Sequence, residues 1–150
     1  MNQLNRKAFL DMIAWSEGTS TIQDSDNGYN VLVGGKLFSS YRDHPRQLVV
    51  LNSKLKSTAA GRYQLLARYF DHYKKLLSLP DFSAPSQDAI AIQQIKECKA
   101  LNDVDEGNFE KAIKKCSNIW ASFPGNNYGQ HQQKLSALQN VYTEAGGMIA

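Results

Sequence analysis

The sequence predicts an α+β fold: a mostly helical body, a small β-hairpin lobe, and a cleft between them. Three observations carry that expectation. Apolar residues recur at helical spacing over most of the chain. One short stretch alternates around a glycine pair, as a hairpin does. The order is helix, hairpin, then several helices, with no internal repeat, low-complexity tract or linker.

The first helix is expected over residues 5–16, where Phe9, Met12 and Ile13 share a face, Asn5 serves as N-cap and Gly18 as left-handed terminator. Residues 19–28 are polar and aperiodic, contain Asp24, Asp26 and Asn27, and read as a loop. Residues 29–33 alternate, Gly34 and Gly35 supply positive φ, and residues 37–41 resume the alternation. Such a hairpin is marginal alone and should pack beside the helical body. Residues 44–60 mix Pro45, Asn52 and Ser53 with Leu48, Val49 and Val50, and are expected to be an irregular basic flap. Gly61 opens the clearest helix, whose stripe is Leu66, Tyr69, Phe70, Tyr73, Leu76 and Leu77 and whose end is Pro80. Ser86 caps the next, with Ala89, Ile92 and Ile95 inward; another surrounds Phe109, Ala112, Ile113 and Cys116 and leads to Ile119 and Trp120. A turn at residues 124–127 precedes the last helix, residues 132–144, which carries Leu135, Leu138, Val141 and Tyr142 and is released by Gly146 and Gly147.

At 150 residues the chain is expected to be one domain, residues 1–150, with about 70% of its unfolded surface buried. An apolar share of 42% and a charged share of 21% exclude disordered and fibrous classes. Net charge is +3, spread without a block of like charges, so an anionic polymer suits the chain while nucleic acid is not expected. Cys98 and Cys116 lack metal-ligand spacing and read as reduced core residues. His44, His72 and His131 are too dispersed for a metal site or a triad, so neither metal nor cofactor is expected. Residues 1–6 are polar, Asp11 interrupts the apolar stretch that follows, and no run reaches the roughly 18 apolar residues of a membrane span. A cytoplasmic location, no membrane insertion and a monomer are the expectations.

Glu17 is the leading candidate for chemistry. It falls in the last turn of the first helix, facing the negative end of the helix dipole and close in sequence to the Trp15 indole; both disfavour ionisation. A carboxyl that keeps its proton is suited to general-acid work.

Six blocks then extend the reading: RKAFLDMIAWSEG at residues 6–18, GYNVLVGG at 28–35, LKSTAAGRYQLL at 55–66, SQDAIAIQQIKE at 86–97, CSNIWASFPG at 116–125, and YGQ at 128–130. Together they resemble the lambda-type bacteriophage endolysins over nearly the whole chain. The resemblance implies a lysozyme-like α+β fold and attack on host peptidoglycan as a lytic transglycosylase. Such an enzyme cleaves the MurNAc-β-1,4-GlcNAc bond and leaves 1,6-anhydromuramoyl ends. Glu17 matches the family's catalytic glutamate. Tyr63 and Gln64, in the Gly-Arg-Tyr-Gln block, and Tyr128 match cleft-border positions and are the candidate substrate-binding residues. Two cleft-edge loops correspond to residues 47–56 and 126–130. Lys54, Lys56 and Arg62 are candidates to attract anionic peptide stems. The resemblance also implies waiting in the host cytoplasm until a holin opens the inner membrane, then acting in the periplasm. Residues 19–27 depart most from the family pattern. Hydrolysing glycosidases use a second carboxylate, for which Asp24 or Asp26 would serve, so a hydrolytic muramidase is the alternative. A non-catalytic glycan-binding protein of the same fold is the other.

Overall fold

The computed structural model describes residues 2–126 and 131–150, and among these are six helices and one two-stranded sheet, an α+β architecture. The chain forms two compact units, one of residues up to Glu17 with Ala91–Ala150, the other of Gly18–Ile90.

The first unit is helical. It contains α1 (Asn2–Ser16), the C-terminal part of α3 (Ala84–Glu97), α4 (Leu101–Glu106), α5 (Phe109–Cys116) and α6 (Leu135–Glu144). Asn5, Ala8, Phe9, Met12, Ile13 and Ser16 are buried along α1, which is the i, i+3, i+4 stripe of a core helix. That face packs on α6 and α4. Phe9 is the hub: its ring stands edge-on to Phe109, Phe123 and Tyr142 at centroid distances of 6.1, 6.3 and 6.4 Å. Burying one such ring stabilises the fold by about 1.5–3 kcal/mol, and edge-to-face geometry adds to that.

Asn5 is not the N-cap. The helix starts three residues earlier, at Asn2, and the Asn5 side chain is buried, donating to Val104 O and Asp105 O at 3.1 and 3.2 Å and accepting from Met148 N at 3.0 Å. These bonds satisfy carbonyls at the end of α4 and fix the C-terminal tail, a long-range use that local pattern does not reveal. The helix α4 itself is too short to show in periodicity. It ends at Gly107, φ +80°, where a Cβ would lie 2.6 Å from Met148 O. The helix around Phe109 agrees with expectation, with Ala112, Ile113 and Cys116 buried on α5, whereas the last helix starts at Leu135 instead of residue 132 and fully buries only Leu138 and Tyr142. Both cysteines are thiols, Cys116 buried and Cys98 half-buried.

The second unit contains β1 (Val49–Asn52), β2 (Leu55–Ser57), α2 (Ala67–Leu76) and the first turns of α3. Its core is Leu32, Ala60, Leu65, Phe70, Tyr73, Phe82 and Ile90. Here the local pattern misleads in four places. The alternation at residues 29–41 yields only a tight turn closed by the bridge Val31↔Leu37, because the same segment also pairs with Ala60: Gly61 N donates to Val31 O and Val33 N to Ala59 O. The hairpin proper is in the expected flap, where β1 and β2 pair antiparallel with Val49 opposite Ser57 and an irregularity between Val50 and Asn52. The central helix begins at Ala67, six residues after Gly61, because Gly61 and Gln64 have φ of +85° and +55° and Leu65 bridges to Ala60. Its stripe narrows to Phe70 and Tyr73, leaving Tyr69 and Leu76 exposed. Ser86 lies inside α3, buried, and Asp81 performs the capping instead by accepting from Ser83 N at 3.0 Å and from both serine hydroxyls. The inward face of α3 is Gln87, Ile90, Ala91, Gln94 and Ile95, one position away from the expected Ala89 and Ile92.

Candidate active site

Glu17 closes α1: its N–H donates to Ile13 O at 2.8 Å, and Gly18 follows with φ +76°. A Cβ on Gly18 would meet nothing within 4 Å, so the left-handed backbone alone calls for glycine there. The half-buried Glu17 side chain accepts a 2.6 Å hydrogen bond on Oε2 from Ser122 Oγ, and Ser122 Oγ is 2.7 Å from Ser16 Oγ. Burial raises the Glu17 pKa above the ordinary carboxylate value, and the Ser122 hydroxyl opposes that by stabilising the ionised form. The direction agrees with expectation. Its cause is desolvation.

Ser122 and Ser16 are absent from the sequence-derived candidates. Both lie within the blocks that carry the resemblance, Ser16 directly before Glu17, but Ser122 is 105 positions away along the chain. Nothing in a serine's local context marks it as a carboxylate partner.

Tyr63 and Gln64 occupy a polar framework of the second unit. Gly61 makes the turn; a Cβ there would run into Gln87 Oε1 and lie 2.8 Å from Phe82 Cζ. Gln87 organises the loop, accepting from Arg62 N at 2.9 Å and donating to Tyr29 O and Phe82 O at 3.0 and 2.9 Å. Tyr63 is 6% exposed; its hydroxyl donates to Asp88 Oδ1 at 2.5 Å and accepts from Arg62 Nη1 at 3.1 Å. Tyr29 donates to the same carboxylate at 2.8 Å, and burial together with Asp88 pushes its pKa up to about 12. Gln64 Nε2 donates to Val31 O and Gly61 O at 3.2 and 2.9 Å. An open sugar-stacking face for Tyr63 does not fit this buried ring with its engaged hydroxyl, while the half-buried Gln64 spends its amide N–H groups on the backbone.

Arg62, expected at the surface, is 4% exposed, with Nε donating to Asn27 O and the guanidinium 5.2 and 5.6 Å from the Tyr29 and Tyr63 ring centroids. It holds the loop and is not available to a peptide stem. Lys54 and Lys56 are exposed on the hairpin. Asp26 is tied within its own unit by Tyr41 OH at 2.8 Å, while Asp24 is exposed, with φ +64°. Tyr128 and most of the 126–130 loop lie outside the described residues. Among the described residues no group of three His, Cys, Asp or Glu could hold a metal ion. His44 is a core residue: Nδ1 accepts from Arg46 N at 2.9 Å, so the Nε2–H donates to Leu65 O at 2.8 Å, and burial lowers its pKa.

Comparison with known proteins completes the picture. The family model described as Endolysin matches residues 7–149. The endolysin of Escherichia phage lambda is 58% identical over 146 residues, covering 96% of this chain and 92% of the relative. That of Escherichia phage P2 is 48% identical over 157 residues, covering 97% and 95%. A structure of bacteriophage lambda lysozyme complexed with a chitohexasaccharide superposes with a TM-score of 0.96 at 57% identity, covering 98% of this chain and 97% of that one.

Proposed function

The chain belongs to the endolysin family, lysozyme-like phage enzymes that act on the host cell wall, and on that premise we propose that it is a lytic transglycosylase with Glu17 as its catalytic acid and base. One observation carries the reading: a half-buried carboxyl at a helix end, kept toward its protonated form by desolvation and hydrogen-bonded by a neutral hydroxyl.

In the first step the Glu17 carboxyl gives its proton to the glycosidic oxygen as the C1–O bond of the muramoyl residue breaks. In the second the resulting carboxylate takes the proton of the muramoyl C6 hydroxyl while O6 bonds to C1. Glu17 ends protonated, no water is consumed, and the product end is 1,6-anhydromuramic acid. One carboxylate suffices because the nucleophile is part of the substrate and already close to the reacting carbon. The chitohexasaccharide held by the lambda lysozyme supports a glycan strand as the ligand. Tyr63 and Gln64 contribute by fixing the loop of the second unit, and Tyr128 is proposed as the residue that contacts the sugar. No helix among the described residues is long and apolar enough to cross a membrane. Gathering in the host cytoplasm, with access to the wall once a holin opens the membrane, is part of the same proposal.

Mass analysis of fragments released from purified sacculi tests the reaction. Anhydromuramic ends are expected, whereas a preponderance of reducing muramic acid, heavier by one water, would establish hydrolysis instead. The Glu17→Gln variant should lose about 10²–10⁴-fold of the wall-clearing rate at unchanged folding. Clearing at the wild-type rate would remove Glu17 from the chemistry.

A further inference from the structure

We infer that Ser122, backed by Ser16, is the positioning residue of the Glu17 carboxyl, holding Oε2 and reserving Oε1 as the oxygen that gives and takes the proton. This rests on the reading of Glu17 as acid and base. Ser122 has one proton, which the ionised Glu17 carboxylate, an acceptor only, accepts in a hydrogen bond on Oε2 at 2.6 Å. Ser16 Oγ, 2.7 Å from Ser122 Oγ, must then be the donor between the two serines. The result is a one-way chain from Ser16 through Ser122 to Glu17, in which each bond strengthens the next.

The chain is anchored at both ends. Ser16 is buried on the last turn of α1, 6% exposed, in the residue before Glu17. Along the chain Ser122 falls between the buried residues Trp120 and Phe123, with Phe123 N donating to Trp120 O at 2.9 Å and Gln133 N to Ser122 O at 2.7 Å. The Asn126 amide lies 3.1, 3.2 and 2.8 Å from the carbonyls of Ser117, Ala121 and Phe123 and closes the same turn. A serine so held cannot follow a rotating carboxyl, so it selects one rotamer of Glu17.

A carboxyl that must act twice in one turnover needs the same oxygen facing the substrate both times. With Oε2 accepting from Ser122 in either protonation state, the proton is carried on Oε1, and no side-chain rotation separates the two steps. A hydroxyl is suited to this duty because it is neutral and leaves the carboxyl able to hold its proton. A lysine or arginine there would keep Glu17 ionised.

The test is steady-state turnover of Ser122→Ala, Ser122→Thr and Ser16→Ala on purified sacculi, with Glu17→Gln alongside and melting temperatures for all. For Ser122→Ala we expect kcat to fall about ten- to a hundredfold with KM within about twofold. Its alkaline limb in kcat/KM should move to higher pH, since the lost hydroxyl no longer favours the ionised form. Ser122→Thr, which keeps the hydroxyl, should restore both, and Ser16→Ala should show a smaller change in the same direction. Wild-type kcat and an unmoved limb in Ser122→Ala, or a kcat loss with an unmoved limb, would overturn the positioning role. If Glu17→Gln is inactive in that case, the acid–base assignment survives while this inference falls; an active Glu17→Gln removes both.

Discussion

The two units are held by different means. The first rests on interlocked aromatic rings: Phe9 meets Phe109, Phe123 and Tyr142, and Phe109 lies 4.7 Å from Tyr142, centroid to centroid. The second has a modest apolar cluster and a backbone shaped by side chains that reach across the chain, notably Gln87, Arg62, Thr19 and His44. Ring packing stabilises through buried area and close fit and supplies no partner to the backbone. Side-chain bonds to backbone are directional and fix turns whose own residues have no preference for them. An α-helix supplies its own backbone partners, whereas residues 18–66 of the second unit contain one small sheet and pair the rest of their backbone through isolated bridges, turns and side chains.

Four measurements test that contrast. The largest effect on stability is expected from Phe9→Ala, which empties the hub of the first unit and should cost about 3–5 kcal/mol in urea unfolding. A loss under about 1 kcal/mol would mean that the rings around it close up and that the hub is not one. Gln87→Ala should come next, at about 1–3 kcal/mol, because Arg62 N–H, Tyr29 O and Phe82 O all lose a buried partner together. Its loss should appear in faster amide exchange around Arg62 and Gly61, with Phe9 and its neighbours unaffected.

His44 gives a pH-dependent effect of smaller size. Burial lowers its folded-state pKa below the ordinary 6.5, so its contribution is complete above pH 6.5 and is lost as pH falls from there through the folded-state value. With one proton involved, the slope from this group cannot exceed about 1.4 kcal/mol per pH unit. Unfolding of wild type and His44→Gln compared from pH 7.5 down to 5 should show the flatter profile in the variant. The least effect is expected at the exposed hairpin. Val50 is 68% exposed, and Val50→Thr should change stability by no more than about 0.5 kcal/mol.

The first unit was largely readable from the chain itself. The stripe of α1, the Phe109–Cys116 pattern and the Leu138, Tyr142 face of α6 all follow helical period, because a helix that buries one face must repeat its apolar residues. Gly18 signals the stop, and with it the position of Glu17. The second unit was readable only in outline. Residues 29–33 alternate as a strand would, yet they lie between two partners and form little more than a bridge to each; β1 and β2 look irregular because both faces of that hairpin are exposed and no alternation is needed.

The order of residues alone therefore dictates the α+β class, the helices that pack an apolar face, the glycine that ends α1, and the carboxyl set at that end. Folding in three dimensions decided where the hairpin forms, that α2 waits until Ala67, that Tyr63 and Arg62 are inside, and that Ser122 meets Glu17. The physical reason is range. Helical period and left-handed glycines act over a few neighbouring residues and are written locally, whereas a single hydrogen bond between residues 105 positions apart leaves no mark in the chain until folding brings its two ends together.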